Sequence, residues 1–270
     1  GMLASGQYAM SEDTGGDAGP RSSVAEVARA VEKSVVAIDV RAAGAYATGS
    51  GFVIDKEGYI LTNNHVISMA ANDKSAKLEV VFFDRQRVPA RIVGRDPKTD
   101  LAVLKVDNVE NPTVSVLGSS GDLQIGEEVV AFGSPLGLNR TVTSGIVSAT
   151  DRAVALTPDA ESDTDAVIDA IQTDAAINPG NSGGALVDMG GNLVGMNSAI
   201  ASLSSGGFGS TGQGGSIGLG FAIPSNFAKR VADQLIEGGE ATQPMLGVRV
   251  SVGQSIGGGA VVAGVEPGSP

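Results

Sequence analysis

The chain of 270 residues has no cysteine, no tryptophan and a single histidine. Without cysteine there can be no disulfide, no thiol nucleophile and no thiolate metal site. With one histidine, any chemistry that needs an imidazole must use His65. No segment approaches the roughly 18–20 uninterrupted apolar residues needed to span a bilayer as a helix. Basic residues are also scarce: 18 Lys and Arg face 30 Asp and Glu, a formal net charge of −12. No local basic stripe offsets this, so nucleic acid is not expected as a partner. The first residues, Gly1-Met2-Leu3, lack the basic region and long apolar run of a signal peptide. Gly1 ahead of Met2 reads as a cloning remnant, so an upstream export signal or anchor remains open. Membrane association is expected only through such an anchor.

Glycine, by contrast, is abundant at 39 residues, and 42% of the chain is hydrophobic. That combination suits a globular protein with many tight turns. Residues 1–22 lack periodicity and read as a flexible N-terminal tail. Ser23-Val24-Ala25-Glu26 has the spacing of a capping box and predicts a short helix over about 24–33. Short β-type runs follow, among them Val35–Ile38, Gly51–Ile54, Tyr59–Leu61, Leu78–Phe83, Leu101–Leu104, Val129–Phe132, Thr141–Thr143, Gly145–Val147 and Leu193–Met196. Turn residues such as Asp55-Lys56-Glu57-Gly58 and Gly190-Gly191-Asn192 separate most of them. This pattern predicts an all-β architecture, and its length favours two similar barrels, about 35–135 and 136–224. A helix is expected over 225–237, ended by Gly238-Gly239. A linker over 239–243 then leads into a new unit, 244–270, too short for a core of its own. Asp151–Asp169 reads as an acidic irregular loop, and Ser202–Ser216 as a long polar one.

The stretch Gly180-Asn181-Ser182-Gly183-Gly184 fits two nucleophile signatures. One is the G-x-S-x-G elbow of α/β-hydrolases. That elbow needs a histidine after the serine and a helix following it. His65 precedes Ser182, and Gly183-Gly184 makes a poor helix start. The subtilisin order, Asp-His-Ser, is arithmetically possible through Asp55. Its fold, however, alternates strands with long helices, and almost none are predicted between 65 and 182. The chymotrypsin order, His-Asp-Ser, is met by His65, Asp100 and Ser182. His65 follows the run Tyr59–Leu61, and Asp100 precedes the run Leu101–Leu104.

The residue types suit acyl transfer. A serine hydroxyl needs a neutral imidazole to take its proton, and a carboxylate fixes the imidazole tautomer. Backbone N–H groups of Gly180, Asn181 and Ser182 are candidate donors to the oxyanion. Gly180 can adopt positive φ, and Gly183-Gly184 are read as leaving room for the substrate backbone. No metal or cofactor is expected.

Five segments carry a family resemblance: Gly49–Ile54, Gly58–Val66, Thr99–Val106, Gln172–Gly184 and Gly220–Pro224. Together they closely resemble the HtrA/Deg serine proteases, over about residues 30–237. The resemblance implies two antiparallel six-stranded β-barrels of chymotrypsin type with short flanking helices. It makes 23–238 the protease domain and 244–270 the incomplete start of a PDZ domain, with Met245-Leu246-Gly247-Val248 at or near a peptide-carboxylate loop. Also implied are ATP-independent cleavage of misfolded or damaged envelope proteins and a periplasmic or extracytoplasmic location. A homotrimer held by N-terminal segments and a C-terminal peptide as PDZ ligand complete the picture. Asp151–Asp169, Ser202–Ser216 and Gly133–Gly137 map to regulatory loops. Asn197, Ser198 and Ala199 map to the strand lining the specificity pocket. In this architecture the residue six positions before the nucleophile forms the pocket floor; here it is Ala176. With no carboxylate there, cleavage is expected after small or medium aliphatic residues.

Overall fold

A computed structural model describes residues 23–42, 44–71, 73–134, 141–156, 166–199, 218–242, 248–251 and 261–265. The first six strands are β1 (Val35–Ala42), β2 (Ala45–Val53), β3 (Tyr59–Thr62), β4 (Lys77–Val81), β5 (Arg87–Asp96) and β6 (Leu101–Val106). They close into a barrel of order β1-β2-β3-β6-β5-β4. The next six are β7 (Glu128–Gly133), β8 (Thr141–Leu156), β9 (Ala166–Thr173), β10 (Ala185–Asp188), β11 (Leu193–Asn197) and β12 (Gly220–Pro224). They close a second barrel of order β10-β11-β12-β9-β8-β7. The strands within each barrel pair antiparallel, and the β1–β4 and β7–β10 pairings close each sheet on itself, leaving no free edge. Among the described residues, three α-helices flank the barrels: α1 (Val24–Val31), α2 (Asn64–Ala71) and α3 (Ser225–Gly238). None of the described helices is long and apolar enough to cross a membrane.

Side chains alternate across a strand, and here both faces are apolar because both are covered. On β6, Ala102, Leu104 and Val106 join Val36, Ile38, Ile60 and Val80 in the core of the first barrel. On β7, Val129 and Ala131 join Val147, Ile171, Leu186 and Ala222 in the core of the second. The alternate residues, Leu101 and Val103 from β6 with Val130 and Phe132 from β7, meet in a third cluster. Phe52, Met196, Phe221 and Ile223 complete that layer, with Val27 and Val31 of α1 and Val231 and Leu235 of α3. Burying each such side chain stabilises the fold by about 1.5–3 kcal/mol relative to leaving it exposed. The third cluster fixes one barrel against the other, and so fixes the groups at their junction.

Several boundaries differ from the sequence reading. The division between barrels falls between β6 and β7, not at 135/136. β7 bonds to β8 and β10, which commits it to the second barrel. α2 is a helix that the sequence reading did not predict after the run Tyr59–Leu61, because β-branched Val66 and Ile67 mask its helical character. Asp151–Asp169 is not a loop throughout. β8 runs on to Leu156 and pairs with β9 from Ala166, with Arg152 opposite Ala170 and Val154 opposite Ile168. Asp151, at φ 53, lies where the β8–β9 register shifts, and the polar Asp151-Arg152 pair hid the strand around it. Ser202–Ser216 and residues 135–137 lie outside the described residues. So does most of 244–270, where the backbone pairs β13 (Val248–Ser251) with β14 (Val261–Val265).

Candidate active site

The β5–β6 turn builds the first half of the site. The Asp96 carboxylate accepts the Lys98 N–H at 3.1 Å and the Thr99 hydroxyl at 2.8 Å, closing a tight reversal. Asp100 then takes φ 56, a left-handed conformation that aspartate tolerates. Its carbonyl accepts the Asn64 N–H at 3.0 Å and the Asn63 side-chain amide at 3.0 Å. Thus the end of β3 and the start of α2 are tied directly to the turn. The carboxylate faces His65 at the start of α2. Nδ1 of His65 lies 2.8 Å from Oδ2 and 3.0 Å from Oδ1, and Oδ1 also accepts the His65 backbone N–H at 2.9 Å. Two oxygens facing Nδ1 place its proton there and leave Nε2 as the ring's acceptor. The Asp100 side chain is 9% exposed and that of His65 21%, so the pair is shielded while the ring keeps one open edge.

The second half is the turn ahead of β10. Gly180 takes φ 106, which favours glycine. The Asn181 N–H bonds to the Asn178 carbonyl at 3.0 Å, and the Asn181 side-chain amide bonds to the Ala176 carbonyl at 3.2 Å. The expectation that the Asn181 N–H serves an oxyanion is therefore corrected: that donor is already used in closing the turn. The N–H groups of Gly180 and Ser182 have no acceptor among the described residues. Ser182 is 4% exposed, and its Oγ accepts the Ala199 N–H at 3.1 Å. Among the described residues this is its hydrogen bond; none joins it to the imidazole. His65, Ser182, Gly180, Pro179, Ala199, Thr48 and Ala47 nevertheless line one cleft of about 240 Å³.

The two glycines after Ser182 serve a different purpose from the one expected. A Cβ on Gly183 would lie 2.1 Å from the Ser50 carbonyl oxygen, and one on Gly184 would lie 1.9 Å from the Phe132 carbonyl oxygen. The room they leave is filled by β2 and β7, not by a substrate backbone.

Of the expected pocket residues, Ala199 lines the cleft. Asn197 and Ser198 are fully buried. The Asn197 amide donates to the carbonyls of Phe132 and Ala185, both at 3.1 Å, so its side chain holds β7 and β10 together instead of meeting substrate. Ala176 is half-buried, and its carbonyl also accepts the Thr143 hydroxyl at 3.0 Å. Sequence reasoning assigned no individual role to Ser50, Asn63 or Asp39. Asp39 is 2% exposed and accepts the Tyr46 and Thr48 hydroxyls and Arg87 Nη1, stiffening the cleft wall at Thr48. Partial burial and the hydrogen bond to Asp39 raise the Tyr46 phenol above its ordinary range, and the same carboxylate raises Arg87.

The chain is similar to known proteins in sequence and in fold. Residues 49–196 match the trypsin-like peptidase domain. The chain belongs to the trypsin-like peptidases and, within them, to the HtrA-type proteases. Serine protease PepD of Mycobacterium tuberculosis is 49% identical over 263 residues, covering 92% of this chain and 56% of that protein. A probable periplasmic serine endoprotease, DegP-like, of Chlamydia trachomatis is 46% identical over 200 residues, covering 74% of this chain and 36% of that protein. The solved structure of the HtrA-type protease AlgW with tripeptide superposes with a TM-score of 0.72 at 39% identity, covering 90% of this chain and 76% of the other. The chain thus spans roughly a third to just over half the length of these two curated relatives.

Proposed function

We propose that this chain carries the catalytic unit of an ATP-independent serine endopeptidase, with Ser182 as nucleophile, His65 as general base and Asp100 as the residue that orients it. The observation that carries this reading is the Asp100 carboxylate on His65 Nδ1, in a cleft shared with Ser182. When the Ser182 hydroxyl turns from the Ala199 N–H toward Nε2, its proton passes to the ring as Oγ attacks the scissile carbonyl carbon. Asp100 stabilises the imidazolium through Nδ1–H. The negative oxygen of the tetrahedral intermediate meets the free N–H groups of Gly180 and Ser182. The imidazolium then protonates the leaving amine, and water, deprotonated by the same nitrogen, hydrolyses the acyl-enzyme.

On this reading the hydrogen bond from Ala199 to Ser182 marks a resting arrangement. It favours a second, related function, a latent protease that mainly binds unfolded chains as a chaperone. An alanine, Ala176, at the position expected to form the pocket floor supports cleavage after small or medium aliphatic residues rather than after Arg or Lys. Relatives named periplasmic serine endoproteases support protein or peptide substrates and an extracytoplasmic location, and unfolded or damaged proteins as the substrates are part of the proposal. A homotrimer, and a C-terminal peptide bound by a PDZ domain beginning near 244, belong to the same proposal.

The test is degradation of casein by the wild type and by Ser182→Ala. The endopeptidase reading expects hydrolysis by the first and a loss on the order of 10⁶ in kcat in the second. Wild-type protein that suppresses aggregation of an unfolded client but never cleaves it would support the chaperone reading instead.

A further inference from the structure

Ser50 lies in β2 of the first barrel and is fully buried, yet its hydroxyl reaches the turn that carries the nucleophile. Oγ donates to the Gly180 carbonyl at 2.6 Å and accepts the Ser134 N–H at 2.7 Å. The same residue is fixed on both sides by backbone bonds. Its N–H donates to the Ser182 carbonyl at 2.9 Å, and its carbonyl accepts the Thr62 hydroxyl at 2.7 Å. The absence of a Cβ on Gly183 is what lets β2 come this close.

We infer that Ser50 is a positioning residue, whose hydroxyl clamps the Gly180 carbonyl and thereby aims the Gly180 N–H, one of the proposed oxyanion donors, with Ser134 fixing the clamp from the end of β7. The inference rests on the proposed endopeptidase reading. Gly180 belongs to two peptide planes. The plane bearing its carbonyl is held at both ends, by Ser50 on the oxygen and by Asn178 on the Asn181 N–H. The plane bearing the Gly180 N–H has no such anchor among the described residues, so its direction follows from the plane that is held. Losing the Ser50 bond leaves the first plane held only through Asn178, and at a residue with glycine's freedom the Gly180 N–H then loses its fixed aim. The clamp also gives displacement of Ser134 a path to Gly180 through a single oxygen atom.

The clamp acts on a group that matters once negative charge develops, so its loss should appear in kcat and not in KM. The experiment compares wild type, Ser50→Ala and Ser50→Cys. The cysteine variant leaves no cavity and carries a bulkier, much weaker donor, and so tests the clamp even if the cavity left by alanine disturbs folding. Three readouts are taken: kcat and KM on an unfolded peptide substrate, affinity for a peptidyl trifluoromethyl ketone, and hydrogen exchange of the Ser134 amide. The ketone forms a hemiketal whose oxyanion occupies the proposed hole. Both variants should lower kcat roughly 10–100-fold with KM changed less than about twofold, the range expected of a misaimed oxyanion donor. Ketone affinity should fall in parallel, and the Ser134 amide should exchange faster.

Wild-type kcat and ketone affinity in a folded variant would overturn the positioning role, as would a loss confined to KM. An unchanged Ser134 amide would overturn the clamp itself. Failure of the underlying reading is separable: it would appear in the wild type, as hydrolysis that survives Ser182→Ala.

Discussion

Replacing Asp100 with asparagine tests the site with little change in shape. Asparagine tolerates the left-handed backbone at this position as well as aspartate does, so φ 56 adds no strain. The carboxylate accepts two donors from His65: the backbone N–H on Oδ1 and the ring Nδ1–H across both oxygens. The backbone N–H cannot change its role, so the asparagine oxygen must stay on it. The amide nitrogen then falls where Oδ2 lay, 2.8 Å from Nδ1. Two donors would face each other there. The ring relieves this by moving its proton to Nε2, the nitrogen that must accept from Ser182. The wrong tautomer should lower kcat by about 10⁴, with KM little changed. The lost charge-assisted hydrogen bond should lower stability by about 1.5–3 kcal/mol, a cost that leaves the variant folded. Peptide hydrolysis and urea unfolding, measured side by side, separate the two effects. A folded Asp100→Asn protein within about tenfold of wild-type kcat would refute the tautomer argument, because that requires an orienting role no larger than a typical positioning effect.

Further outcomes follow from individual contacts. Gly183→Ala would drive a Cβ to 2.1 Å from the Ser50 carbonyl oxygen at φ 82, so both stability and activity should fall sharply; soluble protein with a wild-type melting temperature would contradict the close approach described. Phe132→Ala empties part of the layer between the barrels and should lower the unfolding free energy by about 3–5 kcal/mol in denaturant titration. Ser23→Ala removes the capping box of α1 and should lower stability by about 1 kcal/mol, measured the same way. The raised Tyr46 phenol favours the folded state while it is protonated. That contribution is complete below the ordinary phenol range and is lost as pH rises through the higher folded value. Alkaline absorbance titration of the folded protein should therefore show a late-ionising phenol that Tyr46→Phe removes.

Much of this was legible in the sequence, for identifiable reasons. Closed barrels demand short, apolar, turn-bounded runs, and Val35–Ile38, Tyr59–Leu61 and Leu101–Leu104 advertise their strands openly. The candidate order His65, Asp100, Ser182 was readable because a single histidine leaves one candidate base. What could not be read was long-range and polar. β5 and the outer part of β8 carry Arg and Asp on exposed faces, so neither shows a clean apolar alternation. The Asn181 N–H looked like an oxyanion donor because its bond to Asn178 exists only once the turn has closed. Gly183 and Gly184 signalled that something comes close, but sequence spacing could not say whether it was substrate or β2. The roles of Ser50 and Asn197 depend on partners 130 and 65 residues away, and no local pattern encodes them. The Gly49-Ser50-Gly51 spacing was the one available hint, since small residues within a strand often mark the close approach of another backbone.

The account turns on Ser182 being a nucleophile that its neighbours can activate. The most direct measurement is mass-spectrometric mapping of the native protein after exposure to a fluorophosphonate probe. One adduct is expected, on the tryptic peptide containing Ser182, absent from Ser182→Ala and strongly reduced in Asp100→Asn. A native protein that takes up no probe, or takes it up on another serine, would contradict the account.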